Sequence, residues 1–169
     1  SYKTLNVDNP KLNCRLKNMQ KFSPIRIVLD NKLDTNYNSY LIKTANKTNT
    51  IIFYNEADRS KILKFKKKKL QLIKSKINKY KKFDVKLIMK KIYSLGCRNI
   101  LIEGGNDLTK NLLINKLFNQ FYLFKSSKKI SRLVEHKVFN SFKILKKNYK
   151  NKFKINASFN NNTITLYKK

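Results

Sequence analysis

The feature that most limits the fold of this chain is a series of short apolar runs that alternate with amphipathic segments. Each run has four to seven residues, which is a typical strand length and too short for most helices. Apolar residues fill consecutive positions in these runs, as they do in strands buried on both faces of a parallel sheet. The alternation therefore indicates an α/β fold. The predicted strands are residues 24–30, 50–54, 99–103 and 121–124.

Helical spacing is clearest in two segments of the chain. In the first, apolar residues recur every three or four positions and Gly96 follows, where a helix C-cap favours glycine. The second follows Gly104 and Gly105, and either Asn106 or Asp107 is expected to cap it. The apolar positions are Val85, Ile88, Met89, Ile92 and Leu95 in the first helix, and Leu108, Leu112, Leu113 and Leu117 in the second.

The ends and the lysine-rich middle of the chain are less regular. Residues 1–23 are polar and predict irregular structure, whereas residues 61–82 predict a solvated helix or loop with a weak strand near residues 70–73. Residues 153–167 predict two antiparallel strands joined by a turn at Asn160, Asn161 and Asn162. The predicted fold class is thus α/β, with a mostly parallel central sheet, flanking helices and a C-terminal antiparallel hairpin. Its 169 residues suit a single domain over residues 1–169.

The net charge of +31 favours an anionic partner such as nucleic acid. Only five of the 40 basic residues are arginine, although arginine provides the bidentate fork that reads phosphate and guanine. The lysine-rich residues 61–82 also lack the aromatic or arginine interleaving of a nucleic-acid stripe. A role in nucleic-acid binding is therefore the alternative rather than the favoured interpretation.

Several other classes of protein do not fit this sequence. Cys14 and Cys97 lie far apart without Cys or His companions, so we expect neither a disulfide framework nor a metal site. No apolar run approaches the ~20 residues of a membrane span, and a reducing cytosol fits the cysteine content. His136 is the only histidine, and no serine or cysteine has a nucleophile setting, so we interpret His136 as a surface residue.

Gly104 and Gly105 lie between a predicted strand and a predicted helix. Such a pair lets the backbone approach a ligand and reach positive φ angles, and the helix behind it offers N–H groups to a phosphate. A plain tight turn explains the same residues. Glu103, at the carboxyl end of the predicted strand, occupies the usual ligand position of open α/β sheets; a capping or salt-bridged surface acid is the alternative.

Asp8 and Arg15 share a polar segment near the start of the chain. A carboxylate can orient a substrate hydroxyl or a cofactor amide, and a guanidinium can clamp a phosphate with two hydrogen bonds. On spacing alone, two unconnected surface charges are the favoured interpretation.

Three motifs in order resemble the reductase domain of bacterial riboflavin biosynthesis, which has a dihydrofolate-reductase-like fold. The first runs Thr4-x-x-x-Asp8-Asn9-Pro10-x-Leu12-x-x-Arg15, the second is Pro24-Ile25-Arg26-Ile27-Val28-Leu29-Asp30, and the third is Leu95-Gly96 followed by Ile100-Leu101-Ile102-Glu103-Gly104-Gly105. The resemblance extends with gaps from Tyr2 to about Phe124.

This resemblance implies an oxidoreductase that uses NADPH to reduce 5-amino-6-(5-phosphoribosylamino)uracil to the ribitylamino product. It implies that Asp8 is the catalytic acid and that Leu12, Arg15 and Glu103 bind the phosphorylated substrate. It places the following residues against the cofactor: Thr4, Asp8, Asn31, Gly104, Gly105, Asn106, Asp107, Leu108, Thr109, Lys110 and Asn111. A reductase of the same fold that acts on a pterin is the enzymatic alternative.

The resemblance also bears on the rest of the protein. In that family a first strand and helix should precede Thr4, and they are absent from this sequence. We therefore expect a partial domain from the C-terminal part of a longer protein. We also expect this part to be inactive alone. An N-terminal zinc deaminase domain and a homodimer are further expectations. We also expect the Asp8/Arg15 segment and the Gly104–Gly105 turn to border one crevice that holds nucleotide and sugar.

Overall fold

The computed structural model describes residues 1–127, 139–156 and 162–169. They form two compact units, Ser1–Ile102 and Glu103–Lys169, and each is described by itself. His136 and the turn residues Asn160 and Asn161 lie outside the described residues. No helix in the described part of the chain is long and apolar enough to cross a bilayer.

The first unit is built on a three-stranded parallel sheet. Its strands are β1 (Arg26–Leu29), β2 (Thr50–Tyr54) and β3 (Gln71–Lys74), in the order β1-β2-β3. The two strands predicted at residues 24–30 and 50–54 and the weak strand near residues 70–73 are therefore confirmed. Residues Thr50 to Phe53 of the central strand are all buried, which explains the unbroken apolar run in β2.

Four α-helices belong to this unit: α1 (Tyr2–Asp8), α2 (Tyr40–Lys43), α3 (Arg59–Lys66) and α4 (Val85–Ser94). The prediction of irregular structure over residues 1–23 is wrong for residues 2–8, because the single apolar anchor Leu5, 3% exposed, gave no periodic signal. The lysine-rich residues 61–82 do form a surface helix and a short strand, as predicted. Helix α4 is also confirmed.

Gly96 ends α4 in the way that the sequence predicts. Its φ of +88° lies in the left-handed region that disfavours a side chain. Its N–H donates to the Tyr93 carbonyl at 2.9 Å and the Cys97 N–H donates to the Ile92 carbonyl at 3.3 Å. These two bonds form a Schellman motif, which satisfies carbonyls at the helix end.

Two apolar clusters lie in this unit. The first joins α1, α2 and α3 to β1 and β2, and its buried members include Leu5, Val28, Leu41, Ile52 and Phe65. The second joins α4 to the sheet through Ile51, Phe53, Ile88 and Ile92. Because Ile51 and Ile52 belong to different clusters, successive β2 side chains are buried on opposite faces of the sheet.

The second unit contains an antiparallel sheet and two helices. Helices α5 (Asn106–Ile114) and α6 (Phe142–Asn148) accompany strands β4 (Gln120–Lys125), β5 (Asn151–Ile155) and β6 (Thr163–Lys168), in the order β4-β6-β5. The predicted strand at residues 121–124 and the C-terminal hairpin are confirmed. The buried core comprises Leu113, Leu145, Tyr149 and Tyr167. The predicted helix stops at Ile114, before Leu117.

The predicted strand at residues 99–103 is wrong. These residues have no regular secondary structure, and Leu101 is 84% exposed. A strand requires a hydrogen-bonding neighbour as well as apolar residues, and within the described ranges none pairs with this run. In the described residues the first unit consequently has a three-stranded parallel sheet and the second a three-stranded antiparallel sheet, which corrects the prediction of a mostly parallel central sheet for the whole domain.

Candidate functional site

Thr4 and Asp8 lie one turn apart on α1, so they occupy the same side of that helix. Thr4 is half-buried and Asp8 is exposed at the helix C-terminus. No hydrogen bond or ion pair involves the Asp8 carboxylate within the described ranges. A carboxylate at the negative end of a helix is an unfavourable placement for stability, which favours a functional reason for the acid.

The segment after α1 is held in place by its neighbours. Asn9 has a φ of 42°, its N–H donates to the Leu5 carbonyl, and its Oδ1 accepts the Tyr40 N–H at 2.8 Å. Leu12, also at positive φ, is half-buried and packs against the first apolar cluster. This anchoring fixes the backbone that leads to Arg15.

Arg15 is exposed, and its guanidinium makes no hydrogen bond or ion pair in the part of the chain that the structure describes. An unpaired guanidinium retains its full capacity to hold a phosphate. Between Leu12 and Arg15, Asn13 has a buried Oδ1 without a partner. Asn13 could not be recognised from the sequence, because a single asparagine in a polar segment carries no pattern.

At the end of β1, the buried carboxylate of Asp30 organises a tight turn. It accepts hydrogen bonds from the Asp34 N–H at 2.9 Å and from the N–H and hydroxyl of Thr35, both at 2.7 Å. The turn positions Asn31, whose carbonyl accepts the N–H groups of Asn55 and Glu56. The Asn31 Oδ1 is buried without a partner. This orphaned acceptor fits a ligand that presents an N–H or O–H donor, as nicotinamide nucleotides do.

The Gly104–Gly105 turn differs from its predicted geometry. Neither glycine has a positive φ, so conformational freedom does not explain the pair. A Cβ on Gly104 would lie 3.0 Å from Leu108 Cδ2, which shows that Gly104 permits close packing of the turn on the first turn of α5. Gly105 is the N-cap of α5, and not Asn106 or Asp107 as predicted.

The first six residues of α5 are those assigned to cofactor phosphate. Asp107 and Lys110 are exposed, whereas Leu108 and Thr109 are half-buried. The Thr109 hydroxyl donates to the Gly104 carbonyl at 3.2 Å, and Asn111 Oδ1 accepts from Asn115 Nδ2 at 2.9 Å. The first of these bonds ties the turn to the helix, and the second lies at the C-terminal end of α5.

Glu103 is exposed in the irregular segment that precedes this turn. Its predicted place at the carboxyl end of a parallel strand is wrong, because that strand does not form. Its role in substrate binding therefore rests on the resemblance alone.

The predicted site residues are divided between the two units. Thr4, Asp8, Leu12, Arg15 and Asn31 belong to the first unit, and residues 103–111 belong to the second. The single crevice that would join them stays a prediction.

Comparisons with known proteins agree with the sequence motifs. The family model described as the RibD C-terminal domain matches residues 1–147, which include the whole first unit and part of the second. A solved pyrimidine reductase-like protein from Corynebacterium diphtheriae aligns with a TM-score of 0.66 at 15% identity, covering 98% of this chain and 72% of that one. No significant sequence match is found among curated proteins. The structural likeness supports a dihydrofolate-reductase-like fold, and the family match shows that the chain belongs to the RibD C-terminal domain family, the reductase domains of riboflavin biosynthesis.

Proposed function

We propose that this domain reduces 5-amino-6-(5-phosphoribosylamino)uracil to its ribitylamino product with NADPH as the reductant. The observation that carries the proposal is the family match over residues 1–147, since this range contains every residue that the motif resemblance assigns to the site. The coarser statement, a reductase of the riboflavin pathway that uses a nicotinamide cofactor, follows from the family.

NADPH would supply a hydride to C1 of the sugar, which becomes the end of a ribityl chain. The work left to the protein is to align two phosphorylated ligands. Asp8 and Thr4, on one side of α1, are assigned to the cofactor, and Asp8 is the acid assigned to turnover. Within the described residues the exposed Asp8 carboxylate makes no hydrogen bond or ion pair, so it stays available to a ligand.

The resemblance assigns Asn31 to the cofactor, and its buried Oδ1, which has no hydrogen-bond partner, supports that assignment. Leaving a buried acceptor unsatisfied costs about 1–3 kcal/mol, and a carboxamide N–H or a ribose hydroxyl of the cofactor would remove that cost. The Asp30–Thr35 hydrogen bonds hold the turn in which this acceptor lies.

Arg15 and Leu12 are assigned to the phosphoribosyl substrate. Leu12 packs against the apolar cluster and anchors the segment, while the unpaired Arg15 is suited to the bidentate binding of a phosphate. Glu103 is assigned to the same substrate. The resemblance assigns Gly104, Gly105 and residues 106–111 to cofactor phosphate, and the first turn of a helix is in general a favourable place for an anion.

The test is a substrate panel with the complete protein. NADPH oxidation is followed by absorbance with the aminouracil ribosyl phosphate, its dephosphorylated form and a dihydropterin, and each is repeated with NADH. We expect rapid turnover only with the phosphorylated aminouracil, poor turnover with its dephosphorylated form, and faster turnover with NADPH than with NADH. Turnover with the pterin alone would identify the other reductase, and oxidation that ignores the substrate phosphate would contradict the role of Arg15.

A further inference from the structure

We propose that a polar pocket beside α1, separate from the side that carries Thr4 and Asp8, binds a phosphoryl group or a similar small oxyanion. The pocket has a volume of about 180 Å³ and lies entirely within the first unit. Its lining residues are Leu5, Asn6, Asn9, Asn36, Asn38 and Ser39.

The walls of this pocket are built by hydrogen bonds between distant parts of the chain. Asn6 Nδ2 donates to the Asp34 carbonyl at 2.9 Å, and Asn6 Oδ1 accepts the Asn36 N–H at 2.7 Å. On the other side, the bond from the Tyr40 N–H to Asn9 Oδ1 joins the end of α1 to α2. The lining residues are therefore held in position before any ligand arrives.

The same bonds decide which groups remain for a ligand. The Oδ1 atoms of Asn9 and Asn36 accept backbone N–H groups, from Tyr40 at 2.8 Å and from Asn38 at 2.9 Å. Each of these asparagines is left with an uncommitted NH₂, which can only donate. Ser39 is 4% exposed, and its Oγ has no hydrogen-bond partner. The pocket thus combines two amide donors with a buried hydroxyl that requires a partner.

The charges around the pocket and its volume limit the class of ligand further. No carboxylate lines the pocket, and that of the nearby Asp34 is paired with Lys61 at 2.8 Å. The Lys11 ammonium lies 5.7 Å from the ring of Tyr40, the residue whose N–H binds Asn9 Oδ1. A cation is therefore close to this side of the pocket. Small-molecule sites of ≈ 300–1,000 Å³ are usual, and the smaller volume here suits a tetrahedral anion or one phosphate group. The +31 charge of the chain favours an anion over a neutral acceptor.

The experiment is a titration of the complete protein with inorganic phosphate at constant ionic strength, followed by side-chain amide NMR signals and calorimetry. We expect phosphate to shift the NH₂ signals of Asn9 and Asn36, and ribose to leave them unchanged. Ribose 5-phosphate separates the sources of the anion: tighter binding than inorganic phosphate identifies a phosphate ester as the ligand, and weaker binding identifies the free ion.

Two variants test the assignment of the donors. Asn9→Asp keeps the acceptor for the Tyr40 N–H but replaces the NH₂ by a charged oxygen, and should weaken phosphate binding about tenfold or more, the value of a hydrogen bond to a charged group. Asn46→Asp makes the same charge change at an exposed position outside the pocket and should have little effect. Ser39→Ala removes only the unpartnered hydroxyl and should weaken binding several-fold.

The results that would overturn the proposal are equally specific. The proposal is wrong if the Asn9 and Asn36 NH₂ signals do not change at high phosphate concentration. It is also wrong if Asn9→Asp and Asn46→Asp weaken phosphate binding equally, or if ribose binds as tightly as phosphate does. None of these readouts depends on reductase activity, so failure of the pocket and failure of the proposed function are distinguishable.

Discussion

Arg26 and Thr50 are neighbours in register on β1 and β2, and the Thr50 hydroxyl accepts two hydrogen bonds from the Arg26 guanidinium, from Nε at 3.0 Å and from Nη2 at 2.7 Å. The same guanidinium donates to the Thr44 hydroxyl and to the carbonyls of Leu41 and Thr48. Arg26 is 2% exposed, and burial lowers its pKa from the ordinary arginine value. Neutral oxygens therefore surround this buried cation.

Replacing Arg26 by lysine should destabilise the first unit. Lysine keeps the charge but has no planar fork to reach acceptors on both α2 and β2, so buried oxygens and a buried ammonium lose partners. We expect a loss of about 2–4 kcal/mol in the free energy of unfolding, measured in urea. The exposed Arg59 provides the control, Arg59→Lys. Equal free energies of unfolding for the two variants would contradict this stabilising role of the Arg26 hydrogen bonds.

Asp8→Asn should reduce kcat about 100-fold or more, as the loss of a group that handles a proton does. Thermal stability should hold or rise slightly, because the substitution removes a negative charge from the C-terminus of α1. Stopped-flow turnover and a melting curve measure the two effects. Asp58→Asn, at the exposed N-cap of α3, is the matched control. A normal kcat in Asp8→Asn would remove the catalytic assignment.

Glu103→Gln should raise the KM for the aminouracil phosphate about tenfold, the effect of losing a charged hydrogen bond to the substrate. The exposed position of Glu103 makes a large change in folding unexpected. Steady-state kinetics of this variant beside Glu56→Gln, another exposed acid, measure the difference. If both variants keep the wild-type KM, Glu103 is not a substrate ligand.

Arg15→Lys should raise the KM for the phosphorylated substrate about tenfold and leave the Kd for NADPH unchanged. Lysine preserves the charge and removes only the bidentate geometry. The dephosphorylated substrate is the internal control, because its poor turnover should be the same in both proteins. A matching rise in the NADPH Kd would instead assign Arg15 to the cofactor.

Stability should fall above about pH 10 in a way that depends on Tyr149. This residue is 1% exposed, and burial raises the pKa of its hydroxyl, while the hydrogen bond with the Phe118 backbone lowers it. The unfolded chain therefore loses the Tyr149 proton at a lower pH than the folded chain does. The contribution of the neutral hydroxyl to the free energy of unfolding is complete below the ordinary tyrosine pKa and is lost as the pH rises through the pKa of the folded state.

Tyr149→Phe should flatten this alkaline decline in the free energy of unfolding. It should also cost about 1–2 kcal/mol at neutral pH, because the hydroxyl accepts the Phe118 N–H at 3.1 Å and donates to the Phe118 carbonyl at 2.9 Å. Urea unfolding at pH 7 to 11 measures both effects. The exposed Tyr80 gives the control, Tyr80→Phe, and an unchanged pH slope in Tyr149→Phe would refute the assignment.

Secondary structure was predictable where the local apolar pattern matched the burial that the fold produces. The consecutive apolar residues of β2 mark a strand covered on both faces, and the periodic apolar residues before Gly96 mark α4 and its end. Helix α1 gave no such signal, because it is two turns long and buries only Leu5. The run at residues 99–103 has the composition of a strand, but composition does not supply the neighbouring strand that pairs with it.

The sequence by itself determined the α/β class, the approximate positions of the strands that form and the family, because apolar periodicity and ordered motifs are local properties of the chain. The tertiary structure decided which strands pair. Among the residues it describes, it also shows that Asp8 and Arg15 have no hydrogen-bond or ion-pair partner and that Asn31 and Ser39 hold buried oxygens without one. Hydrogen-bond satisfaction depends on residues that are remote in sequence, such as Asn9 and Tyr40, and only the folded chain brings such residues into contact.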